Sequence, residues 1–440
     1  MRKSNSKLKS SRLYIGVGAV GCILSSQGAH AIELLKNDTS ELSIFGTVQM
    51  IGIGEYVQDD VKKDARAYLF MQQARLGFQG HLGDYNFYTE LALGGEDMTP
   101  GSANPAFTLL EYRFDIPTWK QGFLRIGQFK TPYGAEFLTP DNQRLFTESS
   151  IANLGGNFGR EIGMALVSKT DTFNGVFGVF TGGGEDTAVL PLHELPENFG
   201  SPLMMARIGF DNTGGDALTH SQAGVFNIDK NQMAFYLQGA YEIDTIIGHS
   251  SAMNIKAGQA GDVYQQNLLL NAAWNPYLTT ADKATLYSLG VNGLVRTKLS
   301  DTVLTGEFQA DGAGFSDDLG SLMMYTARIQ GSAAIKPWEF AFRVAALLPD
   351  SNMGSSGSIG GTPFYEITPA VSYYLKDWSK LTLEFQGLVN VPVAHEPGDG
   401  SYVLSDMPSQ TTYSANGQTL ADSITRNFVP EIKLMWQLTF

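Results

Sequence analysis

Residues 428–440 read FVPEIKLMWQLTF. Phe428, Pro430, Ile432, Leu434, Trp436, Leu438 and Phe440 fall on one side of an extended chain, and Val429, Glu431, Lys433, Met435, Gln437 and Thr439 on the other. Successive side chains of a strand point to opposite faces, so this segment predicts a strand with one apolar and one largely polar face. A half-buried strand of a soluble sheet alternates as well, but such strands average about five or six residues. A tilted strand crossing the hydrocarbon layer needs about 9–11. Length therefore favours a membrane strand.

The same code recurs upstream. Leu381, Leu383, Phe385, Gly387, Val389 and Val391 oppose Thr382, Glu384, Gln386 and Asn390. Leu110, Tyr112, Phe114 and Ile116 oppose Glu111, Arg113 and Asp115. Tyr287, Leu289, Val291, Gly293 and Val295 oppose Ser288, Gly290, Asn292 and Arg296, and Thr305, Glu307, Gln309 and Asp311 make the polar face of 303–311. A dry core has no use for charges on so many inner faces, whereas a water-filled lumen does. The expected lumen bases are Arg75, Arg113, Arg125, Arg207, Arg296, Arg328, Arg343 and Lys433. The expected lumen acids are Glu90, Glu111, Glu307, Glu339, Glu384 and Glu431, and base and acid on adjacent strands would pair.

Connections alternate between tight and long. Tight ones are expected at Leu82-Gly83-Asp84, Ser168–Thr172, Leu299–Asp301, Lys336-Pro337 and Lys376–Lys380. Long ones are expected at 55–65, 96–106, 131–159, 183–202, 312–320, 348–363 and 392–424. Short periplasmic turns and long external loops are the outer-membrane pattern. Counting every plausible strand gives about 18; dropping both Gln222–Ile228 and Val263–Trp274 gives 16, and even numbers are the rule. Sixteen is the expectation, with 18 the alternative and 244–282 an external excursion. Trp119, Trp338, Trp378, Trp436 and Phe440 stand near strand ends, where aromatic girdles form.

Composition agrees with an exported barrel. The 440 residues include 49 glycines, mean hydropathy is −0.09, and no apolar run is long enough for a spanning helix. Arg2, Lys3, Lys7, Lys9 and Arg12 precede a short apolar stretch, Leu13–Leu24, and Ala29-His30-Ala31 reads as a cleavage site. Residues 1–31 are therefore expected to be a signal peptide and 32–440 the barrel. Losing the five positive charges takes the net charge from −14 to −19. Cys22 is the one cysteine and lies in the leader, with a poor flank for lipid attachment. Disulfides, cysteine nucleophiles and zinc clusters are excluded, and no metal or cofactor is expected. An acidic exported chain argues against nucleic acid. The acid pairs Asp59-Asp60, Glu96-Asp97, Glu185-Asp186 and Asp317-Asp318 read as solvated loop tips, with cation bridges to lipopolysaccharide the alternative. His81, His193, His220, His249 and His395 are scattered, and no hydrolase motif occurs, so no enzyme is expected.

Residues 123–164 read FLRIGQFKTPYGAEFLTPDNQRLFTESSIANLGGNFGREIGM. Gly127-Gln128-Phe129-Lys130, Pro132-Tyr133-Gly134, Phe146-Thr147-Glu148-Ser149 and Gly159-Arg160-Glu161-Ile162-Gly163 resemble the phosphate-selective porin O/P family, with Ser149 where that family usually has Arg. The resemblance implies a 16-stranded barrel, commonly a trimer, with loop 131–159 folded inward as the constriction. That loop and its borders carry Lys130, Glu136, Asp141, Arg144, Glu148 and Arg160. Both signs of charge at a narrow point would orient and filter solutes, and Lys130, Arg144, Glu148 and Arg160 are the expected solute contacts. A strand closing on Phe440 resembles the signal read by the barrel assembly machinery. The expectation is an outer-membrane porin for small solutes and ions, with mild anion preference from lumen arginines. A plugged structural barrel and a barrel enzyme are the alternatives.

Overall fold

The computed structural model describes residues 31–37, 39–58, 63–95, 107–155, 158–182, 202–245, 284–317, 320–349, 363–396, 400–403 and 424–440. The strands are β1 (Ile32–Asn37), β2 (Ser40–Gln58), β3 (Lys63–Leu82), β4 (Tyr85–Gly95), β5 (Thr108–Trp119) and β6 (Gly122–Lys130). Then follow β7 (Arg160–Lys169), β8 (Phe173–Phe180), β9 (Leu203–Asp211), β10 (Gln232–Thr245), β11 (Ala284–Leu299) and β12 (Thr302–Asp317). The last are β13 (Gly320–Ile335), β14 (Trp338–Pro349), β15 (Phe364–Lys376), β16 (Ser379–Glu396), β17 (Gly400–Val403) and β18 (Ile424–Thr439).

From β2 to β16 each strand pairs antiparallel with the next; β16 then pairs with β18, and β18 closes on β2. Of the eighteen strands in the sheet, β1 and β17 are side pairings on β2 and β16, which leaves a closed ring of sixteen. Closure leaves no free edge, the condition for a sheet to sit in lipid. Gln222–Ile228 is not a strand, while Val263–Trp274 and the leader up to residue 30 lie outside the described residues.

The terminal strand shows how the alternation is used. Ile432 and Leu434 are 56% and 52% exposed on the outer wall, while Glu431 and Lys433 are fully buried on the inner one. Leu383 and Phe385 point outward against Thr382, Glu384 and Gln386, and Leu304 and Phe308 against Thr305, Glu307, Gln309 and Asp311. Trp119, Trp338 and Trp378 stand beside the tight turns at 120–121, 336–337 and 377–378, and Trp436 near the same end of β18; all are exposed outward as an interfacial girdle. A cation on the lipid face should be costly. Leu434→Lys is expected to cost about 2–4 kcal/mol of barrel stability near the midplane, read as a lower unfolding midpoint in urea in lipid vesicles.

Three local expectations need correction. Leu110 faces the lumen and Leu109 the outside, because the β4–β5 register shifts between Glu90 and Leu91 and inverts the alternation there. The connection expected at 312–320 is mostly strand: β12 and β13 stay paired out to Asp317 and Gly320. Likewise β2 and β3 reach Gln58 and Lys63, shortening the connection expected at 55–65. Gly- and Ser-rich sequence continues a ladder when both neighbours supply backbone partners, which composition does not reveal.

Six of the seven connections at the tight-turn end take two or three residues, at 83–84, 120–121, 170–172, 300–301, 336–337 and 377–378. The seventh, 212–231 between β9 and β10, is long and folds into the barrel.

Candidate functional site: the lumen and its inward loop

Loop 131–159 leaves β6 at Lys130 and returns to β7 at Arg160, residues that are partners in the ladder. Gly127 and Gly159 have positive φ, 128° and 73°, and a Cβ on Gly127 would come within 2.1 Å of the Tyr112 carbonyl. Only glycine tolerates that approach, which explains the first glycine of the G-Q-F-K segment. Beyond the strand the chain turns inward through Thr131–Gly134 into a single helical turn, α1 (Ala135–Leu138), whose residues are all buried.

The loop is fastened to wall after wall. Gly134 N donates to Gln238 Oε1 on β10 at 3.1 Å, and the Tyr133 hydroxyl meets Ser288 on β11. Glu136 lies 3.6 Å from Arg328 on β13 and 3.4 Å from Arg343 on β14, and accepts from Ser150 N at 3.0 Å. Thr147 N donates to Glu384 on β16 at 2.7 Å, and Ile151 N to Glu366 on β15 at 2.8 Å. Glu148 pairs with Lys433 on β18, and Asp141 accepts from Arg75 and Gln73 on β3 at 2.5 and 2.9 Å. Burial works against ionising Asp141, but Arg144, Arg75 and Lys130 outweigh it and hold its carboxyl well below the usual carboxylate range. Burial also opposes the charge on Glu136, and Arg328 and Arg343 prevail there, keeping its carboxyl below the ordinary value.

Lys130, Arg144, Glu148 and Arg160 do not share one point. Lys130 and Arg160 sit together at the β6–β7 border: Lys130 Nζ donates to the Phe137 and Thr139 carbonyls at 2.8 and 3.4 Å, and Arg160 Nε to Glu111 at 3.2 Å. Arg144 pairs within the loop with Asp141 at 2.6 Å. Glu148 lies against the opposite wall on Lys433.

All eight expected wall bases face inward, and most hold a carboxylate. Arg125 grips Asp115 with two bonds of 2.7 and 2.8 Å, and Arg113 reaches Glu111 at 3.0 Å. Arg328 holds Glu307, Arg343 holds Glu366 at 2.5 Å, and Lys433 holds Glu431 at 2.9 Å as well as Glu148. Two differ. Arg207 donates to Gln238 and Asn292 at 3.3 and 3.1 Å and stacks on Tyr236, and Arg296 donates to Gln232 and the Ser221 carbonyl. Neither touches a carboxylate among the described residues. The walls are thus mostly neutralised pairwise; among the described residues Lys130, Arg207, Arg296 and Lys380 are bonded to no carboxylate, and Asp311, Glu339 and Glu384 to no base.

A closed antiparallel barrel of sixteen strands, apolar outside and charged within, crossed by an inward loop, is the architecture of an outer-membrane porin. Residues 49–189 match the family described as phosphate-selective porin O and P. The curated proteins give no match. Among solved structures, the chain is similar to an anion-selective porin from Comamonas acidovorans, with TM-score 0.54 and 13% identity over 91% of this chain and 100% of that one. It is also similar to OmpT, an outer membrane protein of Vibrio cholerae, with TM-score 0.51 and 10% identity over 92% of this chain and 99% of that one. OmpF of Salmonella typhi gives TM-score 0.50 and 10% identity over 93% and 100%. At such identities the likeness is one of fold.

Proposed function

We propose that the chain is a passive diffusion porin of the outer membrane, a channel and not an enzyme. The observation that carries this reading is the loop 131–159, held across the lumen by charges of both signs on facing walls. Such a loop narrows a path and lines it with fixed charges, so it filters by size and charge. Planar-bilayer recording on the purified protein tests it: discrete conductance steps are expected, and an electrically silent protein would refute the reading.

Small anions are favoured over cations on this reading. The support is Lys130, Arg207, Arg296 and Lys380, four inward cations without a carboxylate among the described residues, together with the anion-selective porin of the same fold. Strict phosphate selectivity is not proposed, because Arg75, Arg113, Arg125, Arg328 and Arg343 are each committed to an acid. In a KCl gradient the zero-current potential should have the sign of chloride preference, and Lys130→Gln should move it toward zero. Cation preference in the unmodified protein would sink the idea.

Export through a leader at 1–31, contact with lipid and lipopolysaccharide, and insertion by the assembly machinery through Phe440 belong to the same proposal. A homotrimer is proposed as well; OmpT of Vibrio cholerae is known in a trimer form.

A further inference from the structure

The hairpin joining β9 to β10 does not need residues 212–231. Asn212 N already donates to the Met233 carbonyl at 3.0 Å, Met233 N to Asn212 Oδ1 at 2.7 Å, and Asp211 faces Ala234 in register. A two-residue turn could close this hairpin, as others close at the same end. The segment enters the lumen instead, burying Ala217, Leu218, Gln222 and Ile228.

Inside, it covers one wall. Gly224 N donates to Glu339 on β14 at 3.0 Å, and Gln222 and His220 reach Glu307 on β12 at 3.2 and 3.0 Å. Phe226 meets the Tyr374 ring of β15 edge-on at 4.8 Å, and Ile228 packs with Val303 and Ala334. Its tip then joins the inward loop. Gln222 N and Ala223 N both donate to the Gln143 carbonyl, at 3.2 and 2.8 Å, and Ala223 clusters with Leu145, Phe146 and Ala370. Backbone bonding plus an apolar seam makes the two insertions one continuous barrier along β12–β15. On the other side a cavity of about 150 Å³ remains, bounded by Arg75, Arg113, Lys130 and Asp141, with Leu218 and Thr219 of the segment at its edge.

We propose that residues 212–231 are a second constriction element, entering from the periplasmic end, that seals the β12–β15 side of the lumen and confines solutes to an off-centre path along β3–β6. This inference rests on the channel reading above. It names Thr219 as a path residue and Ala223 as a seam residue, two positions four apart on one segment with opposite fates.

The test has two arms. Replacing 213–232 with an Asn-Gly turn should raise single-channel conductance at least about twofold, since a hydrated path widens when a filling segment is removed; unchanged conductance overturns the proposal. For the second arm, Thr219→Cys and Ala223→Cys are made with Cys22→Ser, which leaves no other cysteine. A charged thiol reagent added to the open channel should reduce current through Thr219→Cys and leave Ala223→Cys unaffected. The reverse pattern overturns the proposal even where the turn variant fails to assemble. A silent unmodified protein would defeat the porin reading and the off-centre path with it, a conducting turn variant then marking 212–231 as a plug; a conducting protein whose turn variant is unchanged defeats this proposal alone.

Discussion

Replacing Glu136 with Leu is expected to raise single-channel conductance and current noise while leaving the barrel assembled. Glu136 is the side chain on which the loop's grip on β13 and β14 converges. It is buried, lies within 3.6 Å of Arg328 and 3.4 Å of Arg343, and accepts both the amide and the hydroxyl of Ser150, at 3.0 and 2.6 Å. Removing one member of a buried ionic group costs about 3–5 kcal/mol when the remainder is left uncompensated. Here Arg328 retains Glu307 and Arg343 retains Glu366, so the walls stay satisfied and the cost falls on the loop. The lower end of that range is expected, roughly 3 kcal/mol. That is enough to loosen the stretch between Gly134 and Ser150 on β13 and β14, where Arg343 still donates to the Glu148 carbonyl at 3.0 Å and stacks on Phe146. The tethers at Thr147 and Ile151 hold the far end, so the loop loosens without leaving the lumen. Arg144→Ala is the contrast. Its partner Asp141 lies three residues away in the same loop and keeps Arg75 and Gln73, so a smaller loss, about 1.5 kcal/mol for one charged hydrogen bond, and little change in conductance are expected. Bilayer recording with limited proteolysis of the loop distinguishes the two. A Glu136→Leu channel with ordinary conductance and an intact loop would remove Glu136 from this role.

The barrel was legible because its code is redundant. Each strand repeats the same two-sided alternation, so the error at Leu110 did not disturb the reading of Glu111, Arg113 and Asp115. That error has a definite origin: a bulge adds one residue to one strand and flips everything beyond it, and nothing in Thr108-Leu109-Leu110 marks the position. The inward loop was legible through a motif. The glycines of Gly127–Gly134 bend a strand end into the lumen, and the charges that follow need partners on the walls. Which wall each charge meets was not legible. Glu136 to Arg328 and Arg343 spans about two hundred residues of sequence, and only the closed ring brings them together. Residues 212–231 were the least legible part. Gln222–Ile228 is too short and too mixed for a strand, and the alternation rule then leaves it as a connection. Its course follows from buried partners: Ala223 fits against Phe146, and Gly224 presents its amide to Glu339, contacts that no local pattern encodes. Pairing across strands also explains why eight inward bases do not make eight anion contacts. A guanidinium one strand from a carboxylate, as Arg328 is from Glu307 and Arg343 from Glu366, is neutralised by the fold; the alternation anticipates such pairing without fixing the partners.

Deleting Phe440 should reduce the amount of protein assembled in the membrane at least tenfold, while the channels that do assemble conduct normally. Phe440 extends the seam where β18 closes on β2: Gly46 N donates to its carbonyl at 2.9 Å and its own N–H donates to the Gly46 carbonyl at 3.0 Å. Its ring covers Gly46 so closely that a Cβ there would come within 2.5 Å of it. The deletion therefore removes two backbone hydrogen bonds, about 1 kcal/mol each, and part of an aromatic contact worth about 1.5–3 kcal/mol. Distributed over a seam that still pairs from Glu431–Glu55 to Thr439–Thr47, this loss is too small to prevent closure. A tenfold or greater fall in assembly would then reflect recognition of the terminal residue during insertion, since packing alone loosens a finished barrel without stopping its formation. Gly46→Val separates the two causes. It displaces the Phe440 ring and keeps the residue in place, so it should lower the unfolding midpoint yet assemble in good yield. If Gly46→Val assembled as poorly as the deletion, ring packing would be the cause and a role for Phe440 as a recognition signal would fall. Conductance is the independent check. Phe440 makes none of the bonds that hold Glu136 and Glu148, and the loop meets this end of β18 through Gln437, which donates to the Asn142 carbonyl at 3.0 Å, so a changed conductance in the assembled fraction would mean that the seam and the constriction are coupled through that contact.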